Sequence, residues 1–146
     1  MVNKVELRQI MLVDDNDIVN FLSFENLNRI GFSKPIDCFK NGREAMDFIQ
    51  SMTGPHDLYA CDCPILIFLD INMPIMNGWE FLDAFKDLDR EVKSLFRIIV
   101  LTSSFNPDDK EKALKYEEVL FFLNKPLSSE NLSFLSGNTF VDNSDH

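Results

Sequence analysis

At 146 residues, with 45% hydrophobic and 26% charged side chains, the chain has the size and composition of one globular domain. Its 24 acidic residues against 14 basic ones give a formal net charge of −10, which argues against nucleic acid or anionic lipid as a partner, since both need a basic patch. No run of about 18 apolar residues is present, so no membrane span is predicted.

In chain order, Gln9 to Val13 is a short apolar run that stops at Asp14-Asp15-Asn16-Asp17 and predicts a first strand. Ile18, Phe21, Leu22, Phe24, Leu27 and Ile30 then recur mostly at helical spacing, closed by Gly31, and predict a helix. Pro35 to Phe39 is a weaker second strand. Asn41-Gly42 opens a helical segment through Ile49, and a polar loop runs from Ser51 to Cys63. After Pro64, the run Ile65 to Leu69 predicts a third strand ending in Asp70. A loop, Ile71 to Gly78, leads into a helix carrying Trp79, Phe81, Leu82 and Phe85. Arg97 to Leu101 predicts a fourth strand, ending in Thr102-Ser103-Ser104. Asn106-Pro107-Asp108-Asp109 is a helix start, with a capping Asn, Pro at the first helical position and acids in the first turn. Val119 to Leu123 predicts a fifth strand, ending at Asn124-Lys125-Pro126. Ser129 to Leu135 predicts a short last helix, and Gly137 to His146 a polar tail.

Strands alternating with helices imply a parallel sheet, and the continuous apolar runs of the last three strands suit burial on both faces. The expected fold class is α/β, a three-layer α/β/α sandwich on five parallel strands. With no internal repeat and no domain boundary, residues 1–146 are expected to form a single domain with its core at about 7–135 and a tail at 137–146. The N-terminal residues Met1 to Glu6 lack a signal peptide's apolar stretch. Cys38, Cys61 and Cys63 are too few for a disulfide scaffold, so a cytoplasmic location is expected.

The strand ends carry the chemistry. Carboxyl ends of parallel strands share one edge of the sheet, and ligands bind there. That edge would collect Asp14 and Asp15, Asp70, Thr102 and Lys125 from four strands. Three close carboxylates repel one another, and one is forced toward its protonated form unless a cation intervenes. An all-oxygen donor set favours a hard divalent ion such as Mg²⁺. Metal, ammonium, hydroxyl and a nucleophilic carboxylate are the parts of a phosphoryl-transfer site.

Ile10-Met11-Leu12-Val13-Asp14-Asp15, Leu69-Asp70-Ile71-Asn72-Met73-Pro74 with Asn77-Gly78, Val100-Leu101-Thr102-Ser103 and Asn124-Lys125-Pro126 together resemble the receiver domain of two-component response regulators. The resemblance covers roughly residues 7–135 and implies a flavodoxin-like, CheY-like fold with strand order 2-1-3-4-5. It implies Asp70 as acceptor of a phosphoryl group from a phosphohistidine on a sensor histidine kinase or histidine phosphotransfer protein. It also implies Mg²⁺ held by Asp15, Asp70 and the backbone carbonyl of Asn72, with Asp14 acting mainly through water. Thr102 would hydrogen-bond the phosphoryl oxygen and Lys125 would pair with it; the Lys125-Pro126 bond would be cis. Thr102 and Phe122 would form the switch, and Asn72 and Ser104 would set the lifetime of the phosphate. Such a protein is not a turnover enzyme: it phosphorylates and dephosphorylates itself. With no effector segment after residue 135, its output would pass to a separate protein.

Other readings of the same residues are blander or different. Asp14 to Asp17 suit a helix N-terminus, Asp70 suits a cap, Lys125 a solvated loop, and Phe122 the core. A receiver fold that binds partners without phosphorylation is one alternative. A haloacid-dehalogenase-like phosphatase is another, but it needs a general-acid Asp two residues after the nucleophile, where this chain has Asn72. Cys61, Cys63 and His56 offer too few ligands for a typical zinc site. The loop 51–63 is long for a receiver and suggests no function.

Overall fold

The computed structural model describes residues 3–52 and 63–142. The loop from Ser51 to Cys63, with His56 and Cys61, falls almost wholly outside the described residues. Five parallel strands form the central sheet: β2 (Gln9–Val13), β3 (Ile36–Phe39), β4 (Ile65–Leu69), β5 (Phe96–Thr102) and β6 (Val119–Asn124). Their spatial order is β3-β2-β4-β5-β6, which is the expected 2-1-3-4-5 arrangement. β4 reads Ile-Leu-Ile-Phe-Leu and every residue is buried, because it lies mid-sheet with apolar layers on both sides. β3 is an edge strand, and its central residues Asp37 and Cys38 are exposed.

One face of the sheet is covered by α2 (Gly42–Ser51), α3 (Gly78–Lys86), the short α4 (Arg90–Lys93) and α5 (Pro107–Leu114). Met46, Ile49, Phe81, Phe85, Ile67 and Ile98 are among the buried residues of that layer. The helix starts follow local chemistry. Asn41, Asn77 and Asn106 each accept a hydrogen bond from a backbone N–H of the first turn, and Asn77 closes a capping box with Glu80.

The opposite face departs from the sequence reading in two ways. α1 (Asp17–Arg29) forms as expected, but its buried side chains are Asn20, Ser23 and Leu27. Ile18, Phe21 and Leu22 are 70%, 60% and 49% exposed. Their helical spacing was real, yet it marks the outer side of the helix, not the core side.

The predicted last helix, Ser129 to Leu135, does not form, and the predicted tail is partly a strand. Residues 129–134 make turns, followed by β7 (Leu135–Ser136) and β8 (Thr139–Asp142). Ser128 and Asn131 bond each other through side chain and backbone, competing with a helical ladder as Ser and Asn do. Gly137-Asn138 then joins β7 to β8 with Gly137 at φ 59°, the two-residue hairpin chemistry in which the first turn position needs positive φ. β8 pairs in antiparallel fashion with β1 (Asn3–Glu6), giving a second sheet of order β1-β8-β7. Leu7, Leu132, Leu135 and Phe140 pack with Leu27, Phe32, Leu66 and Phe68, so half of this layer is a β-hairpin sheet where a helix was expected.

Candidate functional site

Register explains why distant residues meet. Val13 is level with Leu69 across β2 and β4, and Leu69 with Val100 on β5. Asp14 and Asp70 therefore leave the sheet side by side. Thr102 pairs with Asn124 at the end of β6, which brings Lys125 to the same edge. Lys125 N–H donates to the Thr102 carbonyl at 2.9 Å, and the Lys125-Pro126 bond is cis.

Asp14 and Asp70 are buried, Thr102 is fully buried, and Asp15 is exposed. One carboxylate oxygen from each of the three aspartates lies within 4.8 Å of the others. Lys125 Nζ stands 2.5 Å from Asp14 Oδ2 and 3.4 Å from Asp70 Oδ2. The second Asp14 oxygen accepts from the Asn16 N–H at 2.9 Å, and the second Asp70 oxygen from the Ile71 N–H at 2.9 Å. Among the described residues no ion pair or hydrogen bond is found on the Asp15 carboxylate. Burial pushes the Asp70 carboxyl above its ordinary value, and the neighbouring Asp14 charge pushes the same way; Lys125 and the Ile71 N–H pull it back only in part. The site thus holds more negative charge than its one ammonium balances, and its donors are all oxygen. That combination fits a hard divalent cation.

The backbone around Asp70 is tight. A Cβ on Gly78 would sit 2.5 Å from the Asp70 carbonyl oxygen and 2.8 Å from Ile71 Cα, so only glycine lets α3 start this close. Between them, Ile75 holds φ 68° in a turn closed by Met76 N–H to Pro74 O at 2.7 Å. That is a costly conformation for a β-branched residue. The turn aims the Met76 carbonyl at the Gly42 N–H, 2.9 Å away at the start of α2.

The remaining expected residues lie around this edge. Asn72 is exposed in the loop after Asp70. The Ser104 hydroxyl donates to Asp109 Oδ2 at 2.6 Å and its Oγ accepts from the Asn106 N–H at 3.2 Å, while Ser104 N–H donates to Thr102 Oγ1 at 3.2 Å. Phe122 is half-buried against the helix-covered core. Residues that sequence reasoning missed are Asn20, whose buried amide donates to the Asp14 carbonyl at 2.9 Å, and Asn131, which bonds the backbone beside Lys125. An Asn in a helix or turn carries no sequence signal of a bond to a backbone carbonyl five to seven residues away.

Three clustered aspartates, two of them buried, with a hydroxyl and a lysine on the carboxyl edge of a 2-1-3-4-5 parallel sheet define a phosphorelay receiver. The model of the response regulator receiver domain matches residues 10–134, and the chain belongs to that family. It is 31% identical over 123 residues to a probable methanogenesis regulatory protein, FilR2, of Methanothrix harundinacea, covering 84% of this chain and 75% of that one. The crystal structure of a two-component response regulator from Cytophaga hutchinsonii superposes with a TM-score of 0.72 at 32% identity, covering 88% and 92% of the two chains. The Mn²⁺-bound form of response regulator Rcp1 gives a TM-score of 0.65 at 28% identity, covering 86% of each. Receiver domains bind Mg²⁺ at an acidic pocket and act with histidine kinases in two-component signalling. Among the described residues no helix is long and apolar enough to cross a membrane.

Proposed function

We propose that this chain takes a phosphoryl group onto Asp70 from a phosphohistidine of a kinase or phosphotransfer protein, and thereby alters the surface it offers an effector. The observation that carries the reading is the Lys125 ammonium lying between the Asp14 and Asp70 carboxylates, with the Thr102 hydroxyl buried one strand away. A carboxylate oxygen of Asp70 attacks phosphorus, the P–N bond to the donor imidazole breaks, and that nitrogen keeps the electron pair and takes up a proton. Lys125 exchanges its carboxylate partners for a phosphoryl oxygen, and Thr102 donates its hydroxyl to another.

Mg²⁺ at the aspartates would neutralise charge on the transferring group. Asp15, whose carboxylate meets no partner among the described residues, and Asp70 would be the direct ligands, with the Asn72 carbonyl. Asp14, whose two oxygens face Lys125 and the Asn16 N–H, would act mainly through water, as the family resemblance implies. Phe122 serves as the aromatic that follows Thr102 inward. Asn72 and Ser104 flank the acceptor and influence hydrolysis; the bond to Asp109 holds the Ser104 hydroxyl aside. The reaction is self-phosphorylation and self-dephosphorylation, with no turnover of an external substrate.

The donor's docking face is the outer side of α1. Ile18, Phe21 and Leu22 are exposed on its N-terminal half, beside the site, and Ile75 and Phe105 stand 80% and 81% exposed on two of the loops around it. Apolar residues gathered around an acidic mouth suit a partner's apolar helix face.

Incubation with acetyl phosphate and Mg²⁺, read by intact mass, tests the proposal. Wild type is expected to gain one phosphoryl group and Asp70→Asn none. A wild type that stays unmodified, with acetyl phosphate and with a phosphorylated histidine donor, overturns it.

A further inference from the structure

Resting on that reading, we infer that Asn131 is a positioning residue for Lys125: its side-chain amide grips the backbone on both sides of the lysine and aims the ammonium at the acceptor site. Lys125 lies just past the end of β6, where its N–H makes the last bond to β5. Pro126 follows and has no N–H to give. In place of a helix that would brace this stretch, residues 129–134 form turns.

Asn131 supplies the brace. Its Nδ2 donates to the Asn124 carbonyl at 3.2 Å and to the Pro126 carbonyl at 3.1 Å, the two carbonyls that flank Lys125. Its Oδ1 accepts from the Ser128 N–H at 2.7 Å and from the Ser128 hydroxyl at 3.2 Å, and its own N–H donates to Ser128 Oγ at 3.3 Å. The amide thus uses both donors and both acceptor positions. A primary amide is the side chain that can give two hydrogens to the carbonyls while taking two bonds from Ser128; a carboxylate gives none.

The lysine needs such support. Lys is a point charge on a flexible four-carbon stem, so a small rotation of its backbone swings Nζ away from the carboxylates. Here Nζ is held 2.5 Å from Asp14 and 3.4 Å from Asp70, with the side chain only 16% exposed. Two neighbouring contacts anchor the ends of the brace: Asn26 Nδ2 donates to the Leu127 carbonyl, and Asn124 Nδ2 to the Ser104 carbonyl. Neither reaches the carbonyls on both sides of Lys125, which Asn131 does.

The test is phosphoryl uptake from acetyl phosphate with Mg²⁺ in wild type, Asn131→Ala, Lys125→Ala and the double variant. Asn131→Ala is expected to slow uptake at least about tenfold, as small misplacements of catalytic groups do. It is expected to add nothing on the Lys125→Ala background, because it acts through that lysine. Asn131→Asp keeps the Ser128 bonds, loses both donations and is expected to behave like Asn131→Ala. Ser128→Ala keeps the grip on the carbonyls and is expected to stay near wild type.

Lysine acylation by an amine-reactive ester, mapped by peptide mass, gives a readout that needs no phosphorylation. Lys125 is expected to label slowly in wild type and several-fold faster in Asn131→Ala, with Lys40 unchanged. Uptake at the wild-type rate in Asn131→Ala, equal slowing on the Lys125→Ala background, or unchanged Lys125 labelling overturns the inference. A wild type that never accepts a phosphoryl group instead removes the functional reading, and the labelling result alone then decides the positioning role.

Discussion

Asp70 is charged where the fold disfavours charge, and this has a measurable cost. Its carboxyl is held above the ordinary value by burial first and by Asp14 second. A carboxyl whose folded value is raised stabilises nothing at neutral pH: the fold loses stability as pH rises through that raised value, and regains it in acid. Asp70→Asn is therefore expected to melt higher than wild type at pH 7 without Mg²⁺, with the gap closing below the ordinary carboxylate range of about 4. Saturating Mg²⁺ is expected to raise the wild-type melting temperature more than that of Asp70→Asn. A variant that melts lower than wild type at neutral pH without metal contradicts this. Gly78 and Ile75 give the steric counterpart. Gly78→Ala would place a methyl 2.5 Å from the Asp70 carbonyl oxygen, with a cost of about 1–3 kcal/mol or more in urea unfolding. Ile75→Gly, at φ 68°, is expected to stabilise by about 1 kcal/mol, since the substitution removes a left-handed β-branched residue. The acidic and basic residues of the site were legible in the sequence because each follows an apolar run that can only be a strand. Asn20 and Asn131 were not, because they act on backbone carbonyls that only the folded chain brings to them.

At the scale of the element, the strands of the central sheet were legible almost to the residue and the inward face of α1 was not. β4 was found as Ile65–Leu69 because an unbroken apolar run bounded by Pro64 and Asp70 has few other uses. α1 was found as a helix, but spacing alone cannot say which of two stripes faces the sheet. Its inward stripe is Asn20, Ser23 and Leu27, and Asn20 earns its place by bonding the Asp14 carbonyl. Two substitutions separate the faces. Leu27→Ala, at a fully buried position, is expected to cost about 2–5 kcal/mol in denaturant unfolding. Phe21→Ser, at a 60% exposed position, is expected to change stability by no more than about 0.5 kcal/mol. The same Phe21→Ser is expected to slow transfer from a protein phosphodonor while leaving uptake from acetyl phosphate unchanged. Equal rates with both donors would remove α1 from the docking face.

The whole molecule closes on itself through its two ends, and this was the least legible level. β1 and β8 are separated by more than 130 residues yet pair in register, Lys4 with Val141 and Val5 with Phe140. Each strand is short, and neither has a long apolar run to announce it. Gly137-Asn138 was the available signal, but the apolar spacing of Leu132 and Leu135 also suits a helix, and the flanking strands were too brief to break the tie. The hairpin and the turns before it are nonetheless core: Phe140 and Leu132 are each 1% exposed and pack on the layer that includes Leu27, Leu66 and Phe68. Phe140→Ala is therefore expected to cost about 3–5 kcal/mol, a loss no polar tail would show. A chain beginning at Leu7 would leave the β8 edge unpaired and uncover Phe140 in the same way. Amide exchange should distinguish the two strand partners. In the shortened chain, the β8 amides that bond β1 are expected to lose protection, while β4 and β5 amides retain it. Because the Val141 N–H donates to the Phe134 carbonyl on the β7 side, Phe140, opposite Val5, is the amide to follow; its protection undiminished in the absence of β1 would show that β7 and the underlying core hold the hairpin without the chain's N-terminal strand.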